Sequence, residues 1–210
     1  MKYFLPKEKL FFKTQQNIYD RFFEYSVHKK KWFFYKKKNK YLPKPISFTV
    51  ERPRSLKHLY KERLLTRQKI KNFYGCLTDK KLKKSFKQIK QNKFSINNFF
   101  IKMEQRLDIL LFRSHLFFGL FEIQQKIRHK QIKVNGKIIK TVGYNIKPGD
   151  CIEIPSNISS FTNNKLRLPP YLGWNSALNV LYLIRVPQIE EINYTFSINK
   201  DLIFEYLNNK

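Results

Sequence analysis

The pattern of apolar and polar residues is helical over the middle of the chain. Between Leu59 and Lys90, apolar side chains recur three or four positions apart, as in Leu82, Phe86 and Ile89. This spacing places them on one face of a helix, with lysines opposite. Because Gly75 interrupts the run, we predict two amphipathic helices, each with one basic face.

Two further helices are predicted before the pattern changes. One ends near Arg113, and the next runs from Leu120 to Lys130. Arg106 and Arg113 are seven positions apart, so they are expected to project from the same side of the third helix. Asp108 lies close to basic residues and is expected to form an ion pair. The residues predicted to be buried in these two helices are Leu107, Leu110, Leu111, Leu120, Ile123 and Ile127.

After residue 130 the helical period is lost and turn signals appear. The segment Ile132–Ile154 contains Asn135-Gly136 and Pro148-Gly149 between short β-branched runs. Asn-Gly favours a type I′ hairpin turn, in which both central residues have positive φ. We therefore predict a small antiparallel β unit, with these four residues in structural turns.

The C-terminal part contains three short segments. "LRLPPYLGW" (Leu166–Trp174) is expected to be irregular, "VLYLIRV" (Val180–Val186) is expected to be a strand, and "INKDLIFEYLNN" is expected to be a helix capped at Asn199. The fold class is therefore α+β. We divide the chain into residues 1–50, 51–102, 103–155 and 156–210, the last being a tail that packs back on the body.

Positive charge is concentrated in the first half of the chain. Residues 1–102 hold 29 Lys and Arg against 6 Asp and Glu, residues 103–154 hold 9 against 5, and residues 155–210 hold 5 against 4. The net charge is +28. Such clustering is typical of proteins that bind polyanions, because each neutralised phosphate releases counterions.

Residues 1–50 alternate lysine blocks with aromatic clusters and show neither a helical nor a strand period. One interpretation is a solvated basic arm. The other is an arm that becomes ordered on nucleic acid, with lysines on phosphates and aromatic rings stacked on bases. We favour the second, because four consecutive aromatic residues, 32–35, are poorly compatible with full solvation.

Codon usage explains part of this composition. Lys, Phe, Ile, Asn and Tyr supply 103 of the 210 residues, while alanine occurs once, at Ala177. The five frequent types have A/T-rich codons, which indicates an A/T-rich genome such as that of an organelle. A mitochondrial location is expected, with a plastid as the second alternative.

Several classes of function lack the residues that they need. The four histidines and two cysteines have no spacing typical of a metal site or a catalytic triad, and glycine-rich phosphate loops are absent. Cys76 and Cys151 are expected to be small buried thiols. Since no segment is apolar enough to span a bilayer, we expect a soluble non-enzyme without a cofactor, a metal ion or a membrane partner.

The residues Arg106–Ile154 resemble the S4-type RNA-binding domain. An Arg-Leu-Asp helix, a second helix ending in His-Lys, a Val-Asn-Gly hairpin and a Pro-Gly-Asp turn follow in the order of that family. The resemblance implies two helices packed on a short, twisted antiparallel sheet. This domain would lie beside the basic helical N-terminal half.

The flanking segments are similar to the family of small-subunit ribosomal proteins S4. They are "RPRSLKHL", "LLTRQKIKNFYGCLTDKKLKKSF", "PPYL" and "INKDLIFEYLNN", so the resemblance spans Arg52–Lys210. It implies a structural protein of the small ribosomal subunit that binds the 5′ domain of the small-subunit rRNA and supports assembly and translation. Neighbouring small-subunit proteins and the mRNA entry region are implied as partners. The N-terminal zinc-binding cysteines of some members are missing here.

The candidate rRNA-binding residues are the cations of the helices, of the last turn of the fourth helix and of the hairpin. Cations at the C-terminus of that helix interact favourably with the helix dipole, which is one interpretation. Because the basic residues continue into the hairpin, we favour a patch that faces phosphates. The family's second domain helix carries arginines that are replaced here at Gly119-Leu120 and Gln124. The predicted set is Arg63, Arg67, Lys69, Lys71, Lys80, Lys84, Arg106, Arg113, Arg128, His129, Lys130, Lys133, Lys137 and Lys140.

Two alternative functions are open. An RNA-modifying enzyme, such as a pseudouridine synthase, uses an S4-type domain as an accessory, but it needs a large catalytic domain and a catalytic Asp in a Gly-Arg-Leu-Asp context. Here the sequence around Asp108 is Gln-Arg-Leu-Asp, inside the binding domain itself. A cationic protein of the membrane surface is the second alternative.

Overall fold

A computed structural model describes residues 56–90, 96–117, 119–155, 168–194 and 196–208. The extension predicted over residues 1–50 lies outside these ranges. The described residues form two compact units, one from 56–76 and 196–208, the other from those between 77 and 194. The four segments drawn from the sequence stay a prediction.

The described residues form six α-helices and five β-strands. The helices are α1 (Leu56–Phe73), α2 (Asp79–Lys90), α3 (Ile96–Glu104), α4 (Leu107–Arg113), α5 (Leu120–Arg128) and α6 (Lys200–Asn208). The strands are β1 (Lys133–Val134), β2 (Lys137–Ile138), β3 (Cys151–Glu153), β4 (Leu172–Asn175) and β5 (Val180–Leu183), and a short 3-10 helix spans Ile189–Glu191. The mixed α+β class is confirmed.

The first unit pairs α1 with α6. Ile70 and Phe73 of α1 and Ile203 of α6 are buried. The ring of Phe73 meets Phe196 edge-on, with 5.7 Å between the centroids. Asn199 caps α6 as predicted, because its Oδ1 accepts hydrogen bonds from the backbone N–H groups two and three positions on, at 3.1 and 3.3 Å.

Helix α2 begins the second unit and has the predicted amphipathic character. Leu82, Phe86 and Ile89 are buried, whereas lysines on the opposite face are exposed. The Phe86 ring contacts Phe99 of α3, with 5.8 Å between the centroids. The apolar face of α2 is therefore fixed by aromatic packing, and its basic face is left to solvent.

The helix expected to run without a break to residue 113 is two helices, α3 and α4. Arg106 has an extended backbone, with φ −70° and ψ 140°. The flanking backbone groups bind a distant segment: Leu107 N–H donates to the Tyr144 carbonyl (2.8 Å), and Ile146 N–H donates to the Gln105 carbonyl (2.9 Å). These long-range hydrogen bonds replace helical ones, which is why periodicity alone did not reveal the break.

The five strands form one antiparallel sheet in the order β2-β1-β3-β5-β4. The hairpin β1–β2 and strand β5 follow the prediction. Strand β4 does not, since its segment was expected to be irregular. Leu172 pairs with Leu183 and Asn175 with Val180, so pairing with β5 overrides the local Pro and Gly signals.

The inner face of the sheet is covered by α4 and α5. Val134, Ile152, Leu181 and Trp174 lie in one row across four strands, and the first three are buried. The six helix residues predicted to be buried are at most 1% exposed, and five of them share a continuous core with the sheet. The sequence periodicity therefore identified the core face of both helices.

The outer face of the sheet carries the alternate residues. Lys133, Glu153, Val180 and Asn175 form one row by register. Cys151 belongs to the next row and is exposed, while Cys76 is half-buried. The prediction that both cysteines are buried is therefore wrong, because Cys151 falls on the outward side of β3.

No helix within the described ranges is long and apolar enough to span a membrane. In the same ranges, no group of three or more His, Cys, Asp and Glu side chains is arranged to hold a metal ion.

Candidate nucleic-acid interface

Helix α5 ends at Arg128. This residue and the two that follow it, His129 and Lys130, are basic and exposed. Lys130 has φ = 60°, and its N–H donates to the Ile127 carbonyl at 3.0 Å. The next N–H, of Gln131, donates to the Lys126 carbonyl at 3.1 Å. These two bonds define a Schellman motif, whose left-handed residue is usually glycine. A lysine in this conformation costs about 1–2 kcal/mol.

The turn between β1 and β2 fixes the hairpin that follows. Asn135 and Gly136 both have positive φ, 50° and 75°. This is the conformation that a type I′ turn needs and that the Asn-Gly pair predicts. The Gly136 N–H donates to Oε1 of Glu153 at 3.1 Å. The turn is thus attached to β3 as well as to its own strands.

The Pro-Gly turn after residue 147 is tied to the hairpin turn. Gly149 has φ = 90°, and the Asp150 N–H donates to the Lys147 carbonyl at 3.1 Å. The Asn135 side chain donates to Asp150 Oδ1 and accepts from the Cys151 N–H, both at 2.9 Å. One asparagine side chain therefore joins the two turns into one rigid corner.

The hairpin lysines do not all share one face. Lys133 points outward, since its neighbour Val134 is buried. Lys137 pairs with Val134 and lies on the inner side, at the exposed edge strand. Lys140, two positions after Ile138, is also exposed. The hairpin consequently carries cations on both sides of its edge.

Arg106 occupies a buried position between α3 and α4. It is 8% exposed, and its guanidinium binds Asp108 twice, Nε to Oδ1 at 3.1 Å and Nη2 to Oδ2 at 2.8 Å. Gln124 donates to the same carboxylate at 3.3 Å. Burial raises the pKa of Asp108, and the charge and hydrogen bonds of Arg106 oppose that rise. Asp108 itself is inaccessible to solvent.

Arg113 is also engaged within the protein. Its Nε and Nη2 donate to the two oxygens of buried Glu104, at 2.9 and 3.1 Å, and Nη1 donates to the Asn193 carbonyl at 2.5 Å. The side chain is 13% exposed. The expectation that Arg106 and Arg113 project from one side of a helix is wrong, because Arg106 precedes α4 and each arginine binds its own carboxylate.

The positions where this chain departs from the family pattern lie against the core. Leu120 and Gln124 of α5 are 1% and 3% exposed. Gln124 bridges two charged groups, since it donates to Asp108 and its Oε1 lies 3.5 Å from Nη2 of Arg128. The amide thus connects the buried Arg106–Asp108 pair to the exposed end of α5.

The predicted cations of the two N-terminal helices lie in different surroundings. Lys80 and Lys84 of α2 are exposed. In the first unit, Arg63 pairs with Glu205 at 2.8 Å, and Arg67 lies 5.0 Å from the centre of the Tyr206 ring.

Lys69 and Lys71, also in α1, are half-buried. Burial lowers the pKa of Lys69. This lysine lines a cleft of about 450 Å³ together with Glu62 and the first turn of α6. Contact with RNA stays a prediction for all fourteen residues of the predicted set.

The predicted set omits one exposed cation beside the two turns. Lys147 is exposed, and its backbone N–H donates to Asp150 Oδ2 at 2.8 Å. It immediately precedes the Pro-Gly turn, so the turn motif was the available signal. The contact between Asn135 and Asp150 joins residues 15 positions apart and had no comparable local signal.

Comparison with known proteins finds a family match over the residues that form these turns and helices. The S4 domain family matches residues 105–152, which include the Arg106–Asp108 pair, α4, α5, the hairpin and the Pro-Gly turn. The match ends at β3, so β4 and β5 lie outside the matched residues.

The similarity to individual proteins extends beyond this domain. The small ribosomal subunit protein uS4 of Orientia tsutsugamushi (strain Boryong) is 31% identical over 156 residues, covering 70% of this chain and 75% of that protein. The uS4 protein of Karelsulcia muelleri (strain GWSS) is 33% identical over 150 residues, covering 71% and 76%. That of Maricaulis maris (strain MCS10) is 25% identical over 151 residues, covering 68% and 74%.

Proposed function

Because the chain belongs to the uS4 family of small ribosomal subunit proteins, we propose that it is a structural component of an organellar small subunit. It binds the 5′ domain of the small-subunit rRNA during assembly and catalyses no reaction. Its further partners are neighbouring small-subunit proteins and the mRNA entry region.

One observation carries the proposal. Residues 128–140 hold five Lys or Arg and no Asp or Glu, and all five side chains are exposed. They project from a Schellman motif and a hairpin whose turn is hydrogen-bonded to β3. Such a surface meets phosphates without first ordering its backbone, which reduces the entropic cost of binding. We call residues 128–140 the cationic corner.

A rigid cationic surface suits folded RNA. Helical RNA hides its base edges in a deep and narrow major groove, so proteins recognise its shape, its phosphates and its 2′-hydroxyls. Cations on both sides of the hairpin edge allow contact with two backbone segments at a junction. Lys80 and Lys84 on α2 are further exposed cations of the same unit, and Arg106 and Arg113 bind buried carboxylates within it.

The organelle that we propose is the mitochondrion. The support is the excess of residues with A/T-rich codons and the single alanine. Fractionation checks this assignment, because the tagged chain should sediment with mitochondrial small subunits. Sedimentation with plastid small subunits would change the assigned organelle to the plastid, and the proposed ribosomal role would stay the same.

Binding to rRNA is tested with a 5′-domain transcript and a matched pair of variants. Lys133→Ala removes a cation of the corner, and Lys200→Ala removes an exposed lysine of α6 in the other unit. We expect Lys133→Ala to weaken binding and Lys200→Ala to leave it unchanged. Equal effects would show non-specific attraction, and no binding by the wild-type chain would overturn the proposal.

The enzyme alternative is checked on the same transcript with a uridine-isomerisation assay. We expect no turnover, since Asp108 is inaccessible and its carboxylate binds Arg106 and Gln124. Any turnover that depends on this chain would contradict a purely structural role.

A further inference from the structure

The outer face of the sheet carries a lysine of the cationic corner at one end and apolar side chains along β5. Lys133 lies on that face beside Ile138, with which it pairs. On β5 and at the residue after its end, residues at alternating positions are apolar and point outward. We call Val180, Tyr182 and Ile184 the apolar stripe; Tyr182 is 39% exposed and Ile184 54%.

Strand β5 is apolar on both sides. Leu181 and Leu183 face the core and are inaccessible to solvent, while the apolar stripe occupies the alternate positions. A short strand with an uninterrupted apolar sequence is typical of burial on both faces. Here the residues that the structure describes cover only the inner face, because Tyr182 and Ile184 are exposed.

The ring of Tyr182 is held in place by the neighbouring strand. Tyr182 pairs with Gly173 of β4. A Cβ at position 173 would lie 2.2 Å from the ring atoms Cε2 and Cζ of Tyr182, so the ring occupies the space that a side chain would fill. The tyrosine therefore presents a fixed, flat surface, as rigid anchors of protein interfaces do.

The charges around the stripe disfavour RNA. Residues 168–194 contain one basic residue, Arg185, and two acidic ones. The Arg185 guanidinium is engaged by the Glu191 carboxylate, with Nη1 donating to Oε2 at 3.0 Å. Within residues 168–194 a phosphate backbone would thus meet no lysine and one arginine that is already engaged, which favours an apolar protein surface over RNA.

From these observations we propose that the apolar stripe is the docking surface for an apolar segment of a neighbouring protein in the small subunit. The inference rests on the proposed function, since it needs the chain to be part of that subunit. It assigns the two ends of one face to two classes of partner, rRNA at the cationic corner and protein at the stripe.

A second copy of this chain does not fit the stripe equally well. A stable interface buries roughly 800 Å² on each partner, which is more than two exposed side chains and one half-buried valine provide. A small apolar contact is sufficient when rRNA already holds both proteins, because tethering raises the effective concentration. The stripe therefore fits a partner that is held in the same particle.

Cys151 provides a probe of this surface. It is exposed, lies on the same face and pairs directly with Tyr182. Its rate of modification by a maleimide, identified by peptide mapping, is compared in the free chain, in the complex with the rRNA transcript and in isolated small subunits. We expect rapid modification in the first two states and strong protection in the subunit.

Each other pattern overturns the inference in a distinct way. Protection by the transcript alone would show that RNA covers the stripe. Protection in the free chain would show coverage by this chain itself or, if sedimentation finds a dimer, by a second copy. Rapid modification in the subunit would show that nothing docks, with the proposed function intact. If the chain were not found in isolated small subunits, the proposed function itself would be overturned.

A pair of variants tests the stripe without a chemical probe. Ile184→Gln replaces an exposed apolar side chain of the stripe, and Tyr60→Gln replaces one in α1 that is 68% exposed. In competition with the wild type, Ile184→Gln should enter small subunits about five- to thirty-fold less well, as for loss of an interface anchor. Its affinity for the transcript should not change, and Tyr60→Gln should compete as the wild type does. Equal incorporation of the two variants would contradict the inference.

Discussion

The arginines around α4 and the cations of the cationic corner belong to the same domain and have opposite surroundings. Arg106 and Arg113 each bind a carboxylate that is inaccessible to solvent, Asp108 and Glu104. The cations from residue 128 to residue 140 are exposed, and no acidic residue interrupts them. We therefore expect a cation of this protein to act mainly in folding when the fold places a buried carboxylate beside it.

These opposite surroundings indicate which basic residues to assign to RNA. A buried arginine that loses its carboxylate, or a carboxylate that loses its arginine, leaves an uncompensated charge in the core. An exposed lysine that is removed leaves only solvent. The two groups should thus separate cleanly when folding stability and RNA affinity are measured on the same variants.

The largest effect is expected from Arg113→Ala. Removing this guanidinium leaves Glu104 buried without its ion-pair partner, which costs about 3–5 kcal/mol of folding free energy. Urea unfolding measures the loss, and Arg113→Lys, which keeps the charge but not the two-pronged geometry, should lose less. Unchanged stability with weakened RNA binding would place Arg113 in the interface, together with the exposed lysines.

Gly136→Val tests whether the corner is preorganised. At φ = 75° a β-branched residue is strained, and no atom lies within 4 Å of the added Cβ, so the expected loss of about 1–2 kcal/mol is conformational. Gly136→Asn, which tolerates this conformation, should retain most of the stability. A valine variant with the wild-type melting temperature would contradict the assigned turn.

Lys133→Ala should change RNA binding with little effect on stability. Loss of one phosphate contact is expected to lower the slope of log K against log salt by about 0.7–0.9, while the free energy of unfolding should change by no more than about 0.5 kcal/mol. Filter binding at several salt concentrations measures the slope. An unchanged slope would place this lysine outside the interface.

Lys130→Gly is expected to move stability and affinity in opposite directions. Glycine relieves the left-handed strain at φ = 60°, so stability should rise by up to about 1 kcal/mol. Affinity for the transcript should fall, because a cation is lost. Lys130→Asn, which also tolerates this conformation, separates the two effects. A gain in both quantities would show that Lys130 does not contact RNA.

The smallest effect concerns an ion pair remote from the cationic corner. The hydrogen bond from Arg185 lowers the pKa of Glu191 from its ordinary 4.5. A carboxylate with a lowered folded pKa stabilises the fold above pH 4.5, and this contribution is lost as the pH falls through the lower value. NMR titration of the carboxyl carbon should give a midpoint below 4.5, and Arg185→Gln should raise it. A midpoint unaffected by Arg185→Gln would contradict the pairing.

The features that sequence reasoning predicted well depend on local pattern. Helical spacing identified Leu82 and Leu110 as buried, Asn-Gly identified the hairpin, and Asn199 identified the start of α6. In each case the physical cause lies within a few residues, through helix periodicity, turn geometry or capping. The S4-type motifs also identified the matched domain.

The features that were missed depend on distant partners. The break at Arg106 is stabilised by backbone bonds to residues 144 and 146, and β4 forms because β5 pairs with it. The engagement of Arg113 was likewise not foreseen, because its bond to Asn193 joins residues 80 positions apart. Periodicity carries no information about such contacts, so it cannot separate a structural arginine from an exposed one.

The bond from the Gly149 N–H to the Leu183 carbonyl, 2.8 Å long, affects the order in which a nascent chain acquires its structure. The hairpin emerges from the translating ribosome well before residue 183. The Asn135 side chain can join the two turns once residue 151 has been synthesised, whereas this further bond forms only when β5 has paired with β3. Chains truncated before residue 180 should therefore retain the lysines of the hairpin on less firmly anchored turns.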